Sequence, residues 1–559
     1  MRKQKAEAVG TNESPILTTL GRERFTNFVT VTTPGKFVWF NYELARSLGF
    51  DIPQANFVSS KVHHELLEML SVRALPAGAE VDQHEPSLLY ADKYGGDDLG
   101  GCLGAGRAGF LPYLNLYLKG VGHTPLFRHN DPTDFEHSHG GLSMLEGMLE
   151  AVFGEANANL FTKGSARILA IIDQGDYTEY PNGKKEARAV VVRAGVQLRP
   201  AHLFAKGIKG GYSKLELFTR ITHVTGQLQL RRAGPGLKLV PDIKETMLRI
   251  IDDHALTAAE QFRWRIVHGA ISLSNMEMSG AMLDATTESA QPRTAPMRVL
   301  TQHPDVNLVF GLEHFERARQ LQIMYRSLVK TLSNDQRKQL NADSISFAFE
   351  MERRYAKHLR VQLLKAAGLP MDLAQIVQNE LPEVSEEFTR LLIEMTALRN
   401  RGRINANKPP LEHISVLDIF NLLQNYPRVY FARPGRTDEA KIRSLLRPQF
   451  RGNHYLRAKQ EDKVRGLAQQ FAVVYSELMA ACQRLSSPSH QRGTSLAGLI
   501  IPRAAYENRP MDRLYRGNLL KQFAKLIDTY KSSGKSELIS GTIDKIVADS
   551  KRNFDNLET

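Results

Sequence analysis

Cysteine is nearly absent: Cys102 and Cys482 are the only two in 559 residues, and they lie 380 positions apart. A disulfide-stapled scaffold, a Cys-x-x-Cys redox motif and a Cys/His zinc site are thereby excluded, and the scarcity fits a reducing compartment. Long apolar runs are absent too, since nothing approaches the roughly 18–20 residues that a membrane span needs. The basic start Met1-Arg2-Lys3-Gln4-Lys5 is followed by polar residues 6–14, with no apolar signal core. The expectation is a soluble, cytoplasmic protein. With 42% hydrophobic residues, 41 Gly and 25 Pro, the composition excludes collagen-like and wholly disordered chains. The length predicts two to four units at about 100–200 residues each.

Charge is what the chain has in excess. Lys and Arg number 73 against 60 Asp and Glu, and residues 401–559 hold 27 and 15 of these, a surplus of 12 in a net of 13. The first 400 residues are close to neutral. A basic C-terminal third points to an acidic partner, nucleic acid or an anionic surface, although a solvated Arg-rich face explains it equally well. The arginines fall on Arg443, Arg447, Arg451 and Arg457, then on Arg503, Arg509, Arg513 and Arg516. No aromatic stacking pattern accompanies them, which favours docking of a protein or peptide of acidic character over nucleic acid.

Along the chain, residues 1–22 read as a flexible lead. Phe28–Val31 and Phe37–Phe40 read as strands separated by the Pro34-Gly35 turn signal, and Asn41 as the N-cap of a short helix ending at Gly49. Residues 62–72 read as an amphipathic helix, Leu114–Lys119 as a strand, and Gly141–Phe153 as a helix. Ala166–Ile172 and Ala187–Arg193 read as strands. From about 213 the pattern is mostly helical, and Cys482 sits in an apolar helical run as a small buried hydrophobe. Strands followed by many helices predict a β-rich lobe packed on an α-rich one, with chemistry in the cleft between them.

Four pieces carry chemistry. Gly104-Ala105-Gly106-Arg107 joins backbone that can approach phosphates closely to an arginine that can pair with them, although a plain tight turn reads the same way. Lys119 ends an apolar strand and needs a counter-charge; the following helix offers Glu146 and Glu150 at i, i+4. His268…Ser274-Asn275 precedes Asp284 by a short reversal, and an amide oxygen with a carboxylate can share a divalent cation. Arg193 and Arg199 flank a strand end, where two guanidinium groups can clamp polyphosphate.

In this order the pieces resemble the selenoprotein O family of kinase-like protein adenylyltransferases. The resemblance runs from about residue 36 to 290, through Lys36-Phe37-Val38-Trp39-Phe40-Asn41, Tyr90-Ala91-Asp92-Lys93-Tyr94-Gly95, Leu103–Ala108, Leu118–Pro125 and His268…Asn275-Met276…Gly280…Asp284. It implies an α+β, protein-kinase-like bilobal fold with a further helical region, and transfer of AMP from ATP to a protein or peptide hydroxyl. It implies ATP and Mg²⁺ as cofactors, with Mn²⁺ as a substitute. By position, Gly104, Gly106, Arg107, Lys119, Asp131, Arg193 and Arg199 would bind nucleotide. Glu146 would be the partner of Lys119, Asn275 and Asp284 the metal ligands, and Ser274 would stand where the family has its aspartate base.

The chain departs from the family at Ala105, Pro132, Ser274 and Ala285-Thr286. A serine does not accept a proton near neutral pH as a carboxylate does, so a base would come from elsewhere, with Glu277 and His268 nearby in sequence. Two further readings stay open: an ATP-dependent enzyme subunit that modifies one peptide or natural product with a partner protein, and an inactive nucleotide-binding scaffold. The expected division is 1–22 lead, 23–210 β-rich nucleotide-binding lobe, 211–400 α-rich catalytic lobe and 401–559 basic helical region.

Overall fold

The computed structural model describes residues 14–52, 60–75, 87–95, 103–127, 139–206, 208–233, 237–291, 293, 313–396, 417–433, 438–448, 454–485 and 495–551. The fold is mixed α+β. One sheet of eight strands occupies the N-terminal half, in the order β2-β7-β8-β6-β5-β4-β1-β3. The strands are β1 (Phe25–Thr32), β2 (Lys36–Phe40), β3 (Val72–Ala74), β4 (Ser87–Asp92), β5 (Ala108–Leu111), β6 (Leu116–Lys119), β7 (Arg167–Glu179) and β8 (Lys185–Ala194). Every neighbouring pair is antiparallel. The Pro34-Gly35 turn does not close a hairpin: β1 pairs with β3 and β4, whereas β2 lies at the opposite edge against β7.

Four helices matter to the site: α1 (Met144–Leu160), α2 (Ile243–Trp264), α3 (Arg516–Ser533) and α4 (Glu537–Ser550). Ser143 and Glu146 form a capping box at the start of α1, each side chain bonding the other's backbone N–H at 3.1 Å. Glycines let α1 lie close on the sheet. A Cβ on Gly147 would stand 3.0 Å from Val191, and one on Gly154 would stand 2.9 Å from the Ala166 carbonyl. Met148, Val152 and Phe153 of α1 share a buried cluster with Val191, Trp264, Phe523, Ile527, Ile539 and Ile543. The last two helices thus return to cover the helix that covers the sheet. Trp39 Nε1–H donates to Asp544 Oδ1 at 2.8 Å, and Tyr530 Oη–H to Asp173 Oδ2 at 2.9 Å.

Residues 14–22 correct the expectation of a lead. Pro15–Leu20 is a helix whose Ile16, Leu17 and Leu20 are buried in one cluster with Leu217, Phe218 and Ile221. Its apolar side chains find a tertiary partner some 200 positions away, a contact that local polarity does not announce. Asn41 caps its helix as expected, accepting from Leu44 N at 3.0 Å. Cys482 is fully buried in the His454–Leu485 helix, where burial pushes its thiol up to about 12. Among the described residues, no helix is long and apolar enough to cross a membrane.

Candidate functional site

The register of three strands gathers the cationic side chains on one face. Tyr117 stands opposite Phe110 on β5 and Arg193 on β8, and Lys119 opposite Ala108 and Val191. Side chains paired across strands and two residues apart along a strand share a face, so Tyr117, Lys119 and Arg193 project together. That is the face α1 covers.

Glu150 of α1 lies between the contact glycines at the spacing Gly147, Glu150, Gly154, one helical face turned to the sheet. Its carboxylate is buried and divided between two cations. Oε1 lies 2.6 Å from Lys119 Nζ, and Oε2 2.6 Å from Arg193 Nη2. Asp284 Oδ1 completes the group at 2.6 Å from Lys119 Nζ and 3.4 Å from Arg193 Nη2. Two cations and two anions balance, which is the condition under which such burial is tolerated. Burial alone would raise the Asp284 carboxyl; Lys119 and Arg193 outweigh it and hold Asp284 well below the ordinary carboxylate range.

Glu146 is therefore not the partner of Lys119, and the expected pairing is corrected to Glu150. Glu146 sits one turn earlier, its carboxylate bonded to the Ser143 N–H and 3.6 Å from Arg107. Burial is overcome there by the charge of Arg107, then of Lys119, and the Glu146 carboxyl is lowered. The Ser143-x-x-Glu146 capping pattern is visible in the sequence and assigns Glu146 to the helix start.

Asn275 and Asp284 are brought together by a tight reversal. Met276 bridges Met282, Glu277 N–H donates to the Ala281 carbonyl at 3.0 Å, and Gly280 turns the chain at φ +88°. Leu283 N–H donates to the Asn275 carbonyl at 3.2 Å, and Asp284 adopts φ +59°, a left-handed conformation that Asp tolerates better than most residues. The Asn275 amide donates to the Ala270 carbonyl at 2.9 Å.

A cavity opens over this group. Its wall includes Gly106, Arg107, Lys119, Arg193, Arg199, Asn275 and Asp284, together with Asp92, Tyr94, Tyr117 and Gln197. Of the positions expected to bind nucleotide or metal, those seven converge. Gly104 does not line the cavity; at φ +146° a Cβ there would meet the Asp92 carbonyl at 2.2 Å, so this glycine seats the loop against β4. Asp131 and Pro132 lie outside the described residues. Tyr117 and Gln197 were not anticipated, although Tyr117 is two residues before Lys119 on the same strand face, a signal open to period-two reasoning.

Ser274 turns its carbonyl to Arg199 Nη1 and its hydroxyl to Ser272 Oγ, 2.9 Å away. His268 is committed: its Nδ1 accepts from Ala270 N at 3.3 Å, which leaves Nε2–H to donate to the Leu283 carbonyl at 2.7 Å. Burial lowers its pKa to about 4, so it stays a neutral structural group. Glu277 is raised to about 7 by burial, against the pull of Ser279 and Arg199. Searches against protein-family models and against curated proteins return no match for this chain.

Proposed function

We propose that the chain is a nucleotidyltransferase of the kinase-like, selenoprotein O type, moving AMP from ATP to a hydroxyl of a protein or peptide. The observation that carries this reading is the Lys119–Glu150–Arg193–Asp284 group, its first three members buried and Asp284 part-exposed, at a cavity whose wall also holds Gly106, Arg107 and Asn275. A kinase-like bilobal arrangement, with the eight-stranded sheet on one side of the cavity and the Asn275–Asp284 reversal on the other, belongs to the same reading.

Among the described residues no cluster of three or more His, Cys, Asp or Glu could hold a metal by itself. Asn275 and Asp284 nevertheless fit Mg²⁺, or Mn²⁺, in the way such ions are usually held: one or two protein oxygens, with phosphate oxygens and water filling the rest. The ion would supply charge neutralisation of the phosphates. Lys119, fixed by Glu150, orients the polyphosphate, and Arg107, Arg193 and Arg199 offset its charge. An acceptor oxygen then attacks the α-phosphorus in line, and the bond to the departing pyrophosphate breaks. Ser274 is no base and His268 is committed to backbone contacts, which leaves Glu277, a carboxylate near in sequence but outside the cavity wall, as the residue this reading offers for the hydroxyl proton.

A nucleotide-binding scaffold is the second reading, favoured by the absence of a carboxylate at Ser274. Incubation with α-labelled and, separately, γ-labelled ATP tests both. Label retained on protein only from the α position supports AMP transfer. Retention only from the γ position makes the chain a kinase, and ATP binding without either label makes it a scaffold. Loss of neither binding nor labelling in Lys119→Ala and Asp284→Ala would remove the site from consideration.

A further inference from the structure

Ahead of α2 the chain forms a two-stranded antiparallel sheet, β9 (Leu230–Ala233) and β10 (Lys238–Pro241), which no third strand joins among the described residues. A two-stranded ribbon without a further strand or a covering helix is marginally stable in water. This one also displays apolar side chains, with Leu230, Leu237 and Leu239 at 54%, 60% and 65% exposure. Its base is nevertheless held firmly. Asp242 N–H donates to the Gln229 carbonyl at 2.8 Å, Gln229 N–H to Thr246 Oγ1 of α2 at 2.9 Å, and Asn341 Nδ2 to Asp242 Oδ1 at 2.9 Å.

The register sorts the ribbon into two unlike faces. Leu230 stands opposite Pro241 and Arg232 opposite Leu239, so these four share one face. Arg231 opposite Val240 and Ala233 opposite Lys238 share the other. The ladder also decides which main-chain groups are spent, because bonded and non-bonded positions alternate along an antiparallel pair. Gln229 and Asp242 are a bonded pair, so Arg231–Val240 and Ala233–Lys238 are bonded in turn. The N–H and C=O groups of Leu230 and Arg232 then point away from β10. On the opposite edge the corresponding groups belong to Leu239 and Pro241, and Pro241 has no N–H. The outer edge of β9 is therefore the better template for another strand.

Charge narrows what that strand can be. Residues 227–241 contain no Asp or Glu, whereas Arg231, Arg232 and Lys238 supply three cations with no ion-pair partner among the described residues. A second copy of this ribbon would set like charges against one another. A lipid surface would leave the β9 edge unpaired, and Leu230 and Leu239 run along a face rather than gather at a tip. We propose that β9 is a docking edge for an extended segment of a partner protein in which apolar residues alternate with Asp or Glu. Added as a third strand, that segment covers Leu230 with its apolar side chains and meets Arg231, on the other face, with its acidic ones. Main-chain bonds to Leu230 and Arg232 supply affinity, and the alternation supplies specificity. The surface lies outside the basic C-terminal third, and the proposal does not rest on the nucleotide reading.

Fluorescence anisotropy of a labelled peptide of alternating Val and Glu, titrated with the full chain, tests it. The comparison probes are a Val–Lys peptide, the Val–Glu peptide with an N-methylated main chain, and vesicles containing phosphatidylserine. Only the unmodified Val–Glu peptide is expected to bind. Arg231→Glu combined with Arg232→Glu should weaken it by about 10-fold or more, and Leu239→Asp several-fold. Leu239→Asp carries the test if the double variant does not fold. Equal binding of the N-methylated peptide overturns the proposal, since charge alone would then hold the ligand. Affinity unchanged in the folded variants, binding of vesicles without the peptide, or no binding of the peptide at all overturns it as well. A dimer in sedimentation that Leu239→Asp returns to monomer makes the occupant a second copy and rejects the acidic strand.

Discussion

Glu146 and Glu150 stand one helical turn apart on the same helix, yet the geometry gives them different work. Glu150 neutralises two buried cations, and its removal leaves Lys119 and Arg193 facing Asp284 alone. Glu150→Gln should therefore cost about 3–5 kcal/mol in denaturant unfolding and abolish any ATP labelling. Glu146→Ala removes a capping contact, at about 1 kcal/mol. Equal effects of the two substitutions in the same unfolding series would refute the assignment. Glu277 gives a pH signature. Its folded pKa, raised to about 7, lies above the ordinary carboxylate value, so its favourable contribution is full below the unfolded value and is lost as pH rises through 7. Glu277→Gln should then stabilise the protein at pH 8 relative to pH 5, by about 2 kcal/mol once partial exposure is discounted. A flat difference between the two pH values would show that Glu277 is not held neutral by the fold.

At the scale of elements, the site depends on how α1 is pressed to the sheet. Its outer side is packed by Phe523 of α3 and by Ile539 and Ile543 of α4, while Arg516 donates to the Thr286 carbonyl at 3.0 Å, two residues from Asp284. Phe523→Ala should cost about 3–5 kcal/mol by opening a cavity behind the helix. It should also weaken ATP binding, measured by titration at a temperature where the variant is folded. Unaltered affinity would show that α1 holds its place without this support. The strands around Lys119 were legible because an apolar run ending in a lysine is an unusual pattern, and α1 because Ser143 announces its start. What local pattern did not carry was the depth of each glutamate and the order of the sheet. Both depend on Gly147 and Gly154 meeting strands, and on β2 crossing to the far edge beside β7. The Asn275–Asp284 pair was legible as two metal-type donors at short spacing, and Tyr117 was open to period-two reasoning from Lys119, whereas Gln197 joins the wall only through the folded cavity.

For the whole molecule, the basic C-terminal third divides in two. Arg509 stacks on the rings of Tyr506 and Trp264, at 3.9 and 5.1 Å, Arg513 pairs with Asp549, and Arg516 is tied to the loop after Asp284. These arginines, expected to serve docking, spend charge on the fold. Arg447 and Arg457 remain exposed, and with Arg443, paired to Glu439 at 3.3 Å, they form the better candidates for capturing an acidic protein or peptide. Reversing Arg443, Arg447 and Arg457 to Glu should weaken capture of an acidic peptide more at 50 mM than at 500 mM salt, concentrations that bracket the ~10 Å screening length at 0.1 M. ATP affinity should be unchanged, and a parallel loss of it would end this division of labour.

The return of α3 and α4 to α1 has a consequence for how the chain acquires its site. Trp39 waits for Asp544, and Asn159 for Ser550, 3.0 Å away in the finished fold. During synthesis the sheet and its glutamate helix emerge hundreds of residues before the segment that seals them. At ordinary elongation rates of about 5–20 residues per second, that interval lasts tens of seconds. Over it the outer face of α1, with Met148 and Val152, has no cover from its final partners. The nascent N-terminal half thus carries an uncovered apolar face until the last helices arrive, and the packing that holds Glu150 against the sheet is completed late in translation.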